Sequence, residues 1–202
     1  GLLNTMDLAY RNKKSLTKIK DILDLKKNSK RYNEEFPLGS ISASSSLKGY
    51  PETNVLDFDH TTAWVEGVKR NGTGETLRME YKNKVSLERI IFFNGYQKSV
   101  STYNNNGIPK LILLKTSNGD IFSHYFKAKK KVLNQNHRIT KNKPITYTLD
   151  TFIFNDIKPV KWIELEIKEI HEGQKFEDTA FSEIIFVPDE IGYIYTKQHP
   201  NK

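Results

Sequence analysis

The chain has 202 residues, a net charge of +8 and no cysteine. That length suits one main domain with an appendage and buries a core without covalent staples. The composition excludes disulfides, thiolate metal sites and cysteine nucleophiles, and no apolar run nears the ~20 residues of a membrane-spanning helix.

The sequence opens "GLLNTMDLAY" with no initiator methionine, which reads either as a shortened chain or as an exported one whose leader has been removed, with export the expectation. In "LTKIKDILDLKK", Leu16, Ile19, Ile22 and Leu23 share one helical face, and Asp21, Asp24 and the lysines make the other. Pro37 and Gly39 then break regularity. Residues 1–38 are therefore expected to form a helical arm and linker, packed on the body or docked on a partner subunit. Residues 39–190 form the expected main domain, and 191–202 a loose tail.

From residue 40 the pattern is β. "ETLRMEY" alternates, with Leu77, Met79 and Tyr81 on one side and Thr76, Arg78 and Glu80 on the other. "KWIELEIKEI" does the same with Ile163, Leu165 and Ile167 against Glu164, Glu166 and Lys168. A period of two means a strand with one wet face. "VSLERIIFF" and "PKLILLKT" are more continuously apolar, as inner strands are. Asn118-Gly119 between two apolar runs is a hairpin signal, and Asn71-Gly72, Asn94-Gly95 and Asn106-Gly107 are further turn signals. Short strands, repeated turns and no intervening helices predict an all-β jelly-roll sandwich of two antiparallel sheets, about eight strands in all. The basic run "KAKKK" at 127–131 lacks the interleaved aromatics of nucleic-acid modules, so no specific nucleic-acid partner is expected.

"SASSSLKGY", "NVLDFDHTTAWVEG", "RIIFFNGYQKS", "YNNNGIPKLILLKTSNGD" and "FEDTAFSEIIF", in that order, resemble discoidin-like, galactose-binding-like jelly rolls. More narrowly, the chain is similar over about residues 41–187 to the glycan-binding-like domain attached to bacterial NAD-glycohydrolase toxins. The resemblance implies two antiparallel sheets, a binding surface made by loops at one end, and a role in attachment or translocation rather than NAD cleavage. It also implies a structural Ca²⁺ near the Asp-rich loop and the C-terminal Glu, here Asp57, Asp59 and Glu183. Relatives have Asp-Gly-Asp or Asp-Gly-Asn in that loop. This chain has Asp57-Phe58-Asp59, and a side chain at the middle position opposes positive φ or close approach to an ion.

Each candidate residue has a plainer reading beside the functional one. Asp57 either ligates the ion or caps a turn. Trp64 stacks on a sugar or enters the core, and core packing is the expectation. Glu66 contacts ligand or anchors loops. Tyr96, Lys98, Tyr103, Asn104 and Asn105 combine rings, amides and a cation in one polar stretch, the types that hold a carbohydrate or a protein surface; an Asn-rich stretch is also ordinary turn chemistry. The histidines lack zinc spacing, and neither a Gly-x-Ser-x-Gly nor a phosphate-binding loop is present. Glu164 and Glu166 fall on a wet strand face and need no catalytic explanation. No enzyme activity is expected. The expected function is a non-catalytic binding module of an exported bacterial protein, periplasmic or at the cell surface, holding a glycan or a protein. The alternative is a structural subunit of a periplasmic or surface assembly such as a filament coat.

Overall fold

A computed structural model describes residues 38–127, 149–155 and 157–188. The chain divides into two units, Gly1–Phe36 and Pro37–Lys202, and every described residue belongs to the second. The expected N-terminal arm, most of the run at 127–131 and the C-terminal tail lie outside the described residues.

The described residues form nine strands: β1 (Leu38–Ala43), β2 (Trp64–Val65), β3 (Thr76–Val85), β4 (Leu87–Asn94), β5 (Ile108–Thr116), β6 (Ile121–Tyr125), β7 (Leu149–Ile153), β8 (Val160–His171) and β9 (Ala180–Pro188). One sheet has the order β1-β3-β8-β5-β6 and the other β2-β9-β4-β7, with every strand pair antiparallel. The expected two-sheet, all-β architecture is present.

The alternating strands bury the predicted side. Leu77, Met79, Ile163, Leu165 and Ile167 are at most 1% exposed, and burying each stabilises by about 1.5–3 kcal/mol. Tyr81 of β3 crosses to Phe186 of β9, edge to face at 6.3 Å. On the wet face, Glu166 is held by Lys115 at 2.7 Å and Lys168 at 2.9 Å, and these cations hold its carboxyl below the usual range. That is surface charge pairing, as the alternation implied. The continuously apolar strand is also explained. β4 lies between β9 and β7, and Ile90, Ile91, Phe92 and Phe93 are all buried, so both of its faces are covered.

Two sequence expectations need correction. "VSLERIIFF" is not one strand: Val85 closes β3 and Leu87 opens β4, and Ser86 carries the chain from one sheet to the other. The region between β4 and β5 also contains a helix, α1 (Val100–Asn105). Ser99 and Thr102 close a capping box, with Thr102 N donating to Ser99 Oγ at 3.1 Å and Ser99 N donating to Thr102 Oγ1 at 2.9 Å. Such a box satisfies amides that a short helix otherwise leaves bare. A single 3₁₀ turn spans Glu52–Leu56. The Asn118-Gly119 hairpin is present, with Gly119 at φ +87° and its amide donating to Thr116 O at 3.0 Å.

The edge strands β6 and β7, one from each sheet, are joined through side chains. Phe122 meets Phe152 at 5.6 Å, and His124 Nε2 lies 3.3 Å from Asp150 Oδ1. Burial opposes ionisation of Asp150, but His124 and the Lys127 and Thr151 amides outweigh it and lower its pKa below 3.8. An acid with a lowered folded pKa adds stability above its unfolded value and loses it as the pH falls through the folded one. Asp150→Asn is therefore expected to destabilise by about 1–2 kcal/mol at neutral pH. Urea unfolding should show the two proteins converging as the pH falls below 3.8; a pH-independent difference would contradict the assignment.

Candidate functional site

The strand registers bring four connections to one end of the sandwich. Ala43 pairs with Leu77, Thr76 with Glu166, Ile108 with His171, and both Trp64 and Asn94 with Phe181. Connections 44–63, 66–75, 95–107 and 172–179 therefore leave from the same end. Among the described residues, the opposite end carries Ser86, the β5–β6 hairpin and the β7–β8 link. Loops on a rigid β scaffold are where binding residues concentrate.

The Asp57–Thr62 loop is held by its own side chains. Asp57 Oδ1 accepts from Asp59 N at 2.7 Å, and Asp57 Oδ2 from Thr62 Oγ1 at 2.7 Å. Asp59 Oδ1 accepts from both Thr61 N and Thr61 Oγ1. Phe58 sits at φ +58°, the left-handed region that a glycine occupies most cheaply. The sequence expectation was that a side chain would oppose this conformation, and the backbone adopts it all the same. The strain of about 1–2 kcal/mol is offset by the ring, which is 7% exposed.

Glu183 on β9 lies beside this loop and is 3% exposed. Its carboxyl is raised well above 4.5, first by burial and then by the charges of Asp57 and Asp59, while the Ile184 and Phe58 amides oppose the rise. Neither of its oxygens has a hydrogen-bond partner of ordinary geometry. A sealed carboxyl facing two further carboxylates is an arrangement that a cation would relieve. Ca²⁺ takes six to eight oxygens, of which carboxylates are only a part, so the donors fit a hard cation in kind. Among the described residues, no three His, Asp or Glu side chains gather closely enough to make an all-side-chain metal cage.

Trp64 is fully buried, stacks with Phe181 at 6.4 Å, and its Nε1 donates to Ser45 O at 3.0 Å; it is a core residue, as expected. Three of the residues singled out for ligand contact are also interior. Glu66 is 0% exposed. It accepts from Val68 N at 2.8 Å and Thr179 N at 3.1 Å, joining the β2–β3 and β8–β9 connections. Tyr103 packs against Ile108 and Val100. Tyr96 packs with Ala63, Val65, Ala180 and Tyr50, and its hydroxyl donates to Thr61 O at 3.3 Å. All three build the loop end from inside. Hydrophobic burial of the rings and the capped helix turned Tyr103 inward, which the polar sequence around it concealed. Lys98 is exposed, and Asn104 and Asn105 are half-buried.

Sequence reasoning passed over a cleft of about 610 Å³ between the β2–β3 and β8–β9 connections. Arg70, Asn71 and Thr73 form one wall, and Glu172, Gln174 and Phe176 lie on the other. The available signal was "EGQKFED", one phenylalanine in an otherwise polar run.

The family described as the NAD glycohydrolase translocation F5/8 type C domain matches residues 29–187. No curated protein matches the chain. Among solved structures, the family 32 carbohydrate-binding module of C. perfringens NanJ in complex with galactose is 14% identical, covering 76% of this chain and 93% of that one with a TM-score of 0.50. CBM32-3 from a family 31 glycoside hydrolase of Clostridium perfringens is also 14% identical, over 76% and 92%, with a TM-score of 0.52. The arabinofuranosyltransferase AftD from Mycobacteria is 15% identical over 75% of this chain, with a TM-score of 0.52, and the chain spans 11% of its length. At these identities the likeness is one of fold. Among the described residues no helix is long and apolar enough to cross a membrane.

Proposed function

Because the chain belongs to the NAD glycohydrolase translocation F5/8 type C domain family, we propose that it is a non-catalytic attachment module of an exported protein, holding a glycan through the loop end of its sandwich. The observation that carries this reading is the convergence of four connections on one end, pinned from inside by Glu66, Tyr96 and Tyr103. Pre-organised walls lower the ordering cost of binding. The galactose complex of the NanJ module supports a saccharide as the ligand class. Ca²⁺ belongs to the same proposal: Asp57, Asp59 and Glu183 would hold it, and its charge would tie the Asp57–Thr62 loop to β9.

The test is a glycan array probed with the full chain. Binding to at least one saccharide class is expected. A blank array, with a protein partner captured in stoichiometric amount from the source cell, would replace this reading with that of an assembly subunit.

A further inference from the structure

We propose that the cleft between the β2–β3 and β8–β9 connections is a saccharide seat, with Phe176 as its platform and a neutral glycan as its ligand. This rests on the attachment-module reading and deepens it.

The walls are built, not incidental. Gln174 N donates to Asn104 O, and Lys175 N and Phe176 N both donate to Asn105 O. Gly173 approaches so closely that a Cβ would lie 2.3 Å from Asn105 O; any other residue would push this wall off the sandwich. On the other side, Thr179 Oγ1 donates to Asn71 O at 2.8 Å and Thr73 N to Asn71 Oδ1 at 3.3 Å. These bonds fasten the 174–176 wall to the C-terminal turn of α1 and join Asn71 to the β8–β9 connection, and the side chains of Arg70, Glu172, Gln174 and Phe176 line the cleft.

Those side chains suit a sugar. Phe176 is 43% exposed, whereas Tyr96 and Tyr103 at the same end are buried. Lys175 Nζ lies 5.2 Å from the centroid of this ring, and the exposed part of the ring beside polar groups offers the apolar face of a pyranose a stacking surface. Arg70, Asn71 and Gln174 supply donors, and Glu172 and Glu177 supply acceptors. Among the described residues no ion pair joins these charges to one another. Glu172 and Glu177 balance the charges of Arg70 and Lys175 along the cleft and disfavour polyanionic glycans, while vicinal hydroxyls match both donors and acceptors. The volume lies within the roughly 300–1,000 Å³ of small-molecule sites.

The experiment is amide NMR of the full chain titrated with galactose, N-acetylgalactosamine, lactose and an oligouronate, repeated with Phe176→Ala and Gln174→Ala. At least one neutral sugar is expected to shift the amides of Asn71, Gly173 and Phe176. Phe176→Ala should weaken binding roughly tenfold or more with only a small change in melting temperature, since the ring is 43% exposed. Shifts confined to Lys98, Asn104 and Asn105, insensitive to Phe176→Ala, would overturn the cleft while leaving the attachment module standing. Cleft shifts with the oligouronate alone would overturn the neutral class. No shift with any of the four sugars, together with a blank glycan array, would overturn both.

Discussion

Millimolar calcium is expected to raise the melting temperature of the protein, and Glu183→Gln to abolish the rise. Glu183 is buried beside Asp57 and Asp59, so in metal-free protein its charged form is disfavoured and its pKa is raised. A cation replaces that repulsion with attraction and links the loop to β9. At a calcium concentration of about 100 Kd the gain is about 2.7 kcal/mol, which in a domain of this size moves the melting temperature by roughly 5–10 °C. Glu183→Gln removes the charge at nearly constant shape. It should therefore leave the chelator-treated protein as stable as the wild type or more so, and insensitive to calcium. Equal calcium responses in both proteins would place the ion elsewhere, and no response in either would mean that the loop holds itself through Asp57, Asp59 and the threonines.

Glu66→Ala is expected to cost about 3 kcal/mol, because two buried amide donors, Val68 N and Thr179 N, lose their acceptor and each orphaned group costs about 1–3 kcal/mol. Burial raises the Glu66 carboxyl above 4.5, and the two amides pull it back only partly. Its neutral form is thus favoured by the fold. By linkage, the stability tied to that protonation is present below 4.5 and fades as the pH rises through the folded value. Glu66→Gln keeps the shape but presents an NH₂ to one of the two amides, so an intermediate loss is expected. The change also bears on function, since Glu66 joins the two connections that wall the cleft. Urea unfolding measures the loss; a cost below about 0.5 kcal/mol, the range of an ordinary surface change, would refute the anchoring role.

Much of the fold was legible because strand periodicity is local. Leu77, Met79, Ile163, Leu165 and Ile167 face inward for the same reason that they alternate, and the Ile90–Phe93 run of β4 is continuously apolar because successive residues on both faces are buried. The Asp57-Phe58-Asp59 loop was legible in position but not in conformation. A phenylalanine at positive φ contradicts local preference, and only a tertiary cavity for its ring offsets the strain.

The site was less legible than the fold. Tyr96, Tyr103 and Glu66 carry the chemistry of ligand contacts, and the sequence does not say which way a loop side chain points. That is set by distant partners: Ile108 for Tyr103, Ala180 for Tyr96, and Thr179, 113 residues along the chain, for Glu66. From the sequence came the all-β sandwich and the hairpin at Asn118-Gly119, through short-range periodicity and turn chemistry, and the burial of Trp64, through the family resemblance. What only the tertiary structure decided was the loop end itself. Strand order and register bring residues 66–75 and 172–179 together, bury the expected contact rings, and leave Phe176 partly exposed at a polar cleft, because long-range pairing, not local preference, determines which loops become neighbours.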